Sequence, residues 1–129
     1  MTKRISTFSV LLIALVAFCL GAVTAISRGW GSGLVSAKIV NKSDQTLRSY
    51  TLRYKTCGAQ SSLAGVDLHP GESRVVRYAV CGEGGYQIEA QFSDGRVLKS
   101  TEGYVESGYS STETISLNNI ISDQRIYAF

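Results

Sequence analysis

The chain has 129 residues, with 13 Lys and Arg, 10 Asp and Glu, one His and a net charge of +3. That length suits one modest domain. The near balance of charge gives little guidance to partners, but a nucleic-acid binder should show a concentrated basic face, so nucleic acid is not an expected partner.

The first segment sets the compartment. Lys3 and Arg4 precede an apolar run, Val10 to Leu20, that Gly21 breaks before the small exit Val23-Thr24-Ala25. A basic end, an apolar core and a small-residue exit make a secretory signal. Residues 1–25 are therefore expected to be a signal peptide, cleaved after Ala25. A signal-anchor is the alternative, because no charge lies between Arg4 and Arg28, and about 20 apolar residues can span a bilayer. Membrane contact is then confined to residues 5–26. A lipid anchor at Cys19 fits poorly, since bulky Phe18 precedes it. Both main readings put the rest of the chain outside the cytoplasm: periplasmic or extracellular, or held on the inner membrane facing the periplasm.

Residues 26–33 are a Gly-rich link that contains Trp30, the only tryptophan. Residues 34–129 read as the folded domain. Val35, Ala37 and Ile39 alternate with Ser36 and Lys38, and a turn follows at Asn41 to Asp44. Tyr50, Leu52 and Tyr54 alternate with Thr51 and Arg53. His69-Pro-Gly-Glu72 has Pro then Gly, the order of a type II turn. Val76, Tyr78 and Val80 alternate next. In the clearest strand, Tyr86, Ile88, Ala90 and Phe92 share one face. Asp94-Gly95 then signals a hairpin with a type I′ turn. Further strands are expected near Gly103–Tyr109, Thr112–Asn118 and Gln124–Phe129. Seven or eight short strands without a helical period indicate an all-β antiparallel sandwich.

Asn41-x-Ser43, then Leu68-His-Pro-Gly-Glu-Ser73, then the Asp94-Gly95 hairpin and Gly103-Tyr-Val105 resemble small exported bacterial immunoglobulin-like domains, over Leu34 to Tyr109. The resemblance rests on turn chemistry. It implies an immunoglobulin-like sandwich and no catalytic residue. The chain has no tryptophan between Cys57 and Cys81, which departs from the antibody pattern.

Removal of the signal leaves two of three cysteines, Cys57 and Cys81. In an oxidising compartment such a pair is expected to form a disulfide. Charge is uneven: Arg28 to Arg77 carries a net of +5, and Tyr78 to Phe129 a net of −4. Interleaved strands would pair these charges locally. A bipolar surface that orients a partner is the sharper alternative.

Each chemical candidate stands beside a plainer reading. His69 precedes proline in a turn and is expected to face solvent. Asp67, His69 and Glu72 lack the spacing of a structural zinc site, so no metal or other cofactor is expected. Cys81-Gly-Glu-Gly-Gly-Tyr86 is Gly-rich, but a strand follows it where a phosphate loop needs a helix. Glu102, Glu106 and Glu113 invite a carboxylate-pair hydrolase reading, although carboxylates on exposed strand faces are common. Gly103 to Thr112 is the most suggestive segment, since tyrosine among Ser and Gly is the composition of adaptable recognition surfaces. Tyr104, Glu106, Tyr109 and Glu83 are the expected binding residues. The functional expectation is a non-enzymatic envelope protein that binds another macromolecule, such as an immunity or inhibitor protein against a periplasm-acting toxin or hydrolase. The alternatives are an accessory subunit of a surface or secretion apparatus, and a small envelope hydrolase.

Overall fold

A computed structural model describes residues 7–27 and 33–126. The chain divides into two compact units, the first ending at Ser32 and the second starting at Gly33. Lys3, Arg4, Trp30 and residues 127–129 lie outside the described residues.

The first unit holds α1 (Thr7–Ser27). Its run of Leu, Ala, Val and Ile favours a helix and leaves it no polar face. Leu11, Leu12, Ile13, Leu15 and Phe18 are all exposed. Its described side chains extend only from Val10 to Thr24, and counted over the described residues no helix is long and apolar enough to cross a membrane.

The second unit contains nine described strands: β1 (Leu34–Asn41), β2 (Leu47–Thr56), β3 (Ala59–Leu68), β4 (Ser73–Ala79), β5 (Gly84–Phe92), β6 (Val97–Lys99), β7 (Gly103–Val105), β8 (Tyr109–Ile115) and β9 (Ile120–Ile126). They form an open sandwich of two sheets. One has the order β4-β1-β8-β9, and the other β3-β2-β5-β6, with β7 also paired to β5. The sandwich is the expected fold. One pairing departs from an antiparallel reading: β1 and β8 run parallel, Ser36 beside Ser110 through Asn41 beside Ile115. A parallel pair needs a long crossover, and six strands lie between these two in sequence.

The alternation read from the sequence builds the core. Val35, Ala37 and Ile39 face Tyr86, Ile88, Ala90 and Phe92 across the sandwich, joined by Leu52, Leu68 and Ile115, all buried. At one end Asn41 closes the turns. Its buried amide donates to Leu68 O at 2.9 Å and Gln45 O at 2.8 Å, and its Oδ1 accepts from Ser43 N and Oγ. This is the physical content of Asn41-x-Ser43: a buried side chain supplies bonds that the irregular backbone cannot make for itself.

Two turns differ from expectation. The Asp94-Gly95 loop is not type I′, since Gly95 has positive φ (89°) and Asp94 does not. Gly95 N donates to Phe92 O, and Phe92 N donates to Arg96 O. This is a three-residue loop of type I with a bulge. The Asp94 carboxylate favours it by accepting from Arg96 N at 2.9 Å. The tight two-residue hairpin is instead Cys57-Gly58, with φ of 49° and 76°. It leads into β3, a strand absent from the sequence reading. β3 is a largely exposed edge strand that opens on small and polar residues, and its Leu63, Val66 and Leu68 do not keep one parity, so it has no apolar alternation to betray it.

Candidate functional site

The end of the sandwich where β1 starts gathers the expected binding residues. β7 pairs with β5 so that Tyr104 lies beside Gly85. A tight turn, with Tyr109 N bonded to Glu106 O, returns the chain into β8. The rings of Tyr104 and Tyr109 meet edge to face, their centroids 5.5 Å apart, a favourable aromatic geometry. Tyr104 is 41% exposed. Its hydroxyl donates to Glu106 Oε2 at 2.7 Å, and Glu83 Oε2 lies 3.3 Å away as a second acceptor. The Glu106 bond and the nearby carboxylate charges hold the phenol proton well above its usual value. All four residues expected in the site thus come together, on β7, the turn that carries the chain into β8 of the other sheet, and the loop before β5.

The disulfide supports that loop. Cys57 and Cys81 are bonded, with their Cα atoms 6.1 Å apart. The bond ties the β2–β3 turn to the segment carrying Glu83, two residues on. Cys19 is the free cysteine.

Behind the patch lies a polar network that the sequence reading missed. Glu113 is fully buried. It accepts from Tyr86 Oη at 2.5 Å and from Ser122 Oγ. Gln124 Nε2 donates to Tyr86 Oη at 3.2 Å and to Tyr104 O at 2.9 Å. Burial first, and then the Glu113 bond, push the Tyr86 phenol above its usual value. Burial also raises Tyr78, whose hydroxyl, like that of Ser111, is buried without a hydrogen-bond partner. Strand parity was the available signal, because Ser111, Glu113 and Ile115 all face inward on β8.

The other candidates do not converge. Glu113 is in the core, Glu106 serves Tyr104, and Glu102 is exposed over Gly85. His69 is exposed, its ring 3.2 Å from Thr46 Oγ1. Among the described residues no group of His, Cys, Asp and Glu is placed to hold a metal ion. Beside the patch, a shallow groove of about 320 Å³ is floored by Gly85 and lined by Arg53, Lys55, Gln60, Gln87 and Glu102. The opposite charges of the two halves meet where Arg53 pairs with Glu89 at 3.1 Å.

No protein-family model matches the chain, and no curated protein does. Among solved structures it is similar to the human-specific toxin intermedilysin, with a TM-score of 0.40 and 6% identity over 72% of this chain and 23% of that one. Wild-type pneumolysin gives a TM-score of 0.40 and 7% identity, over 72% and 23%. The chain thus spans about a quarter of the length of these structures. A likeness of this size carries no property of those toxins over to this chain.

Proposed function

We propose that this is an exported, non-enzymatic binding protein whose Tyr104–Glu83–Glu106–Tyr109 patch recognises a basic segment of another envelope macromolecule, in the manner of an immunity or inhibitor protein. The observation that carries the reading is the setting of Tyr104. An exposed ring is braced by a second tyrosine, and its hydroxyl is fixed between two carboxylates. Such a ring supplies contact area at little entropic cost, and the paired carboxylates suit an Arg or Lys from the partner. The disulfide and the Gln124 bond to Tyr104 O hold the patch in advance of binding, which lowers the cost of association. The basic start, apolar helix and small-residue exit support export, and the likeness of the turns to exported immunoglobulin-like domains agrees with it.

Capture from envelope extract tests the reading, with the N-terminus of the bait sequenced. Tyr104→Ala is expected to weaken capture by about 1–2 kcal/mol or more, while the melting temperature changes little. Glu83→Gln with Glu106→Gln is expected to weaken it further and to flatten its salt dependence. Capture losses that simply track melting losses would move the contact elsewhere. Retrieval of an assembly component would favour the accessory-subunit reading.

A further inference from the structure

The described sandwich has four side edges, and three are blocked in the usual ways. β4 carries Arg74 and Arg77, and β9 carries Asp123 and Arg125. On the β5 side, β6 and β7 are three residues each. Charges and short strands are how sheets discourage pairing with another chain. β3 is the exception. It is ten residues long, has no proline, and carries no charge from Ala59 to Val66.

Hairpin geometry identifies the free groups along it. A two-residue turn makes Thr56 and Ala59 a hydrogen-bonded pair, and alternation extends this to Tyr54–Ser61, Leu52–Leu63 and Tyr50–Gly65. The N–H and C=O groups of Gln60, Ser62, Ala64 and Val66 therefore point away from β2, along the open edge.

We propose that β3 is a dimerisation edge: two copies of this chain join their β3 strands antiparallel about a two-fold axis at Leu63. Opposed residues in an antiparallel pair share a face, so the axis must pass through a residue. With the axis at Leu63, Gln60 stands opposite Val66 of the second copy and Ser62 opposite Ala64. All four outward-pointing residues then exchange both backbone bonds. An axis at Ser62 would leave Val66 unpaired. The chosen register opposes small or uncharged side chains, so no like charges meet. A second copy is the occupant because the edge is complementary to itself in register and side-chain size, and the strand carries no charge from Ala59 to Val66 to set against its own copy.

Sedimentation of the full-length chain in detergent, in a Cys19→Ser background, tests this. The parent should be a dimer in the micromolar range. Ser62→Lys with Ala64→Lys sets ammonium groups against each other across the axis and should weaken association about tenfold or more, with an unchanged circular dichroism spectrum and a melting temperature that no longer rises with concentration. Ser62→Lys with Ala64→Glu opposes unlike charges in the same register and should restore the dimer. Leu63→Cys should cross-link to itself under mild oxidation. A monomeric parent overturns the proposal. So do a dimer indifferent to both charge variants, as contact through α1 would give, and failure of the Leu63→Cys link. Partner capture through Tyr104 is read separately, so either result can fail without the other.

Discussion

At the scale of single residues, Glu113 is the most demanding side chain in the sandwich. It is a carboxylate with no exposed surface, and its two hydrogen-bond donors are hydroxyls. Removing this acceptor strands the buried Tyr86 hydroxyl, which costs more than the bond itself contributes, whereas exposed Ser122 can turn to water. Glu113→Ala is therefore expected to destabilise the fold by about 3 kcal/mol in urea unfolding. Replacing the whole cluster by Tyr86→Phe, Glu113→Met and Ser122→Ala should cost less than Glu113→Ala alone, because the buried phenol donor is removed with its acceptor and Gln124 keeps its bond to Tyr104 O. The phenols give a pH dependence. Tyr78 and Tyr86 are raised chiefly by burial, so the folded state holds these protons more tightly than the unfolded chain. Their contribution is complete below about pH 10, the ordinary phenol value, and is lost as pH rises through the folded values. Glu89 has the opposite sign. Its bond to Lys99, with Arg53 nearby, lowers its pKa, so its small contribution is present above the ordinary carboxylate value and fades as pH falls through the folded one. Melting temperatures should hold from about pH 5 to pH 9 and fall above about pH 10, and Tyr78→Phe should reduce the alkaline loss. Ordinary titration of every phenol with the fold intact would contradict this.

At the scale of elements, turns and close approaches decide the strand register. Gly95 ends the β5–β6 loop at a φ of 89°, with open space where a Cβ would stand. Gly95→Ala then carries only the backbone penalty, about 1 kcal/mol. Gly84 is a different case. It lies in β5 against Thr56 of β2, and a Cβ there would overlap the Lys55 carbonyl. Gly84→Ala must push β2 and β5 apart and should cost at least about 2 kcal/mol. Equal melting losses for the two variants would show that the close β2–β5 approach is unimportant. The face pattern of β5 was legible because Tyr86, Ile88, Ala90 and Phe92 alternate with polar residues. β3 was not, because its larger apolar residues, Leu63, Val66 and Leu68, do not keep one parity and the rest are small or polar, so only pairing with β2 makes it a strand.

For the whole molecule, the disulfide joins the two ends of a 24-residue separation and braces the end that carries the Tyr104 patch. In the chain-entropy account a loop of this size contributes about 3 kcal/mol. Cys57→Ser with Cys81→Ser should lower stability by about that amount. Capture by the Tyr104 patch should fall too, since Glu83 loses its nearby anchor. Intact mass before and after reduction gives the direct check on the bond. Two alkylated thiols in protein purified and alkylated without reduction would refute it.

The sequence by itself determined what depends on local pattern: the apolar run of α1, the alternating core strands, the His69–Glu72 turn and the pairing of Cys57 with Cys81. Local periodicity and turn chemistry act within a few residues, so they can be read along the chain. Tertiary structure alone decided the parallel match of β1 with β8, the burial of Glu113 and the gathering of Glu83 with Tyr104, Glu106 and Tyr109. These depend on which distant strands become neighbours. That choice is made by fitting two sheets over one core, a property that no short stretch of the chain possesses.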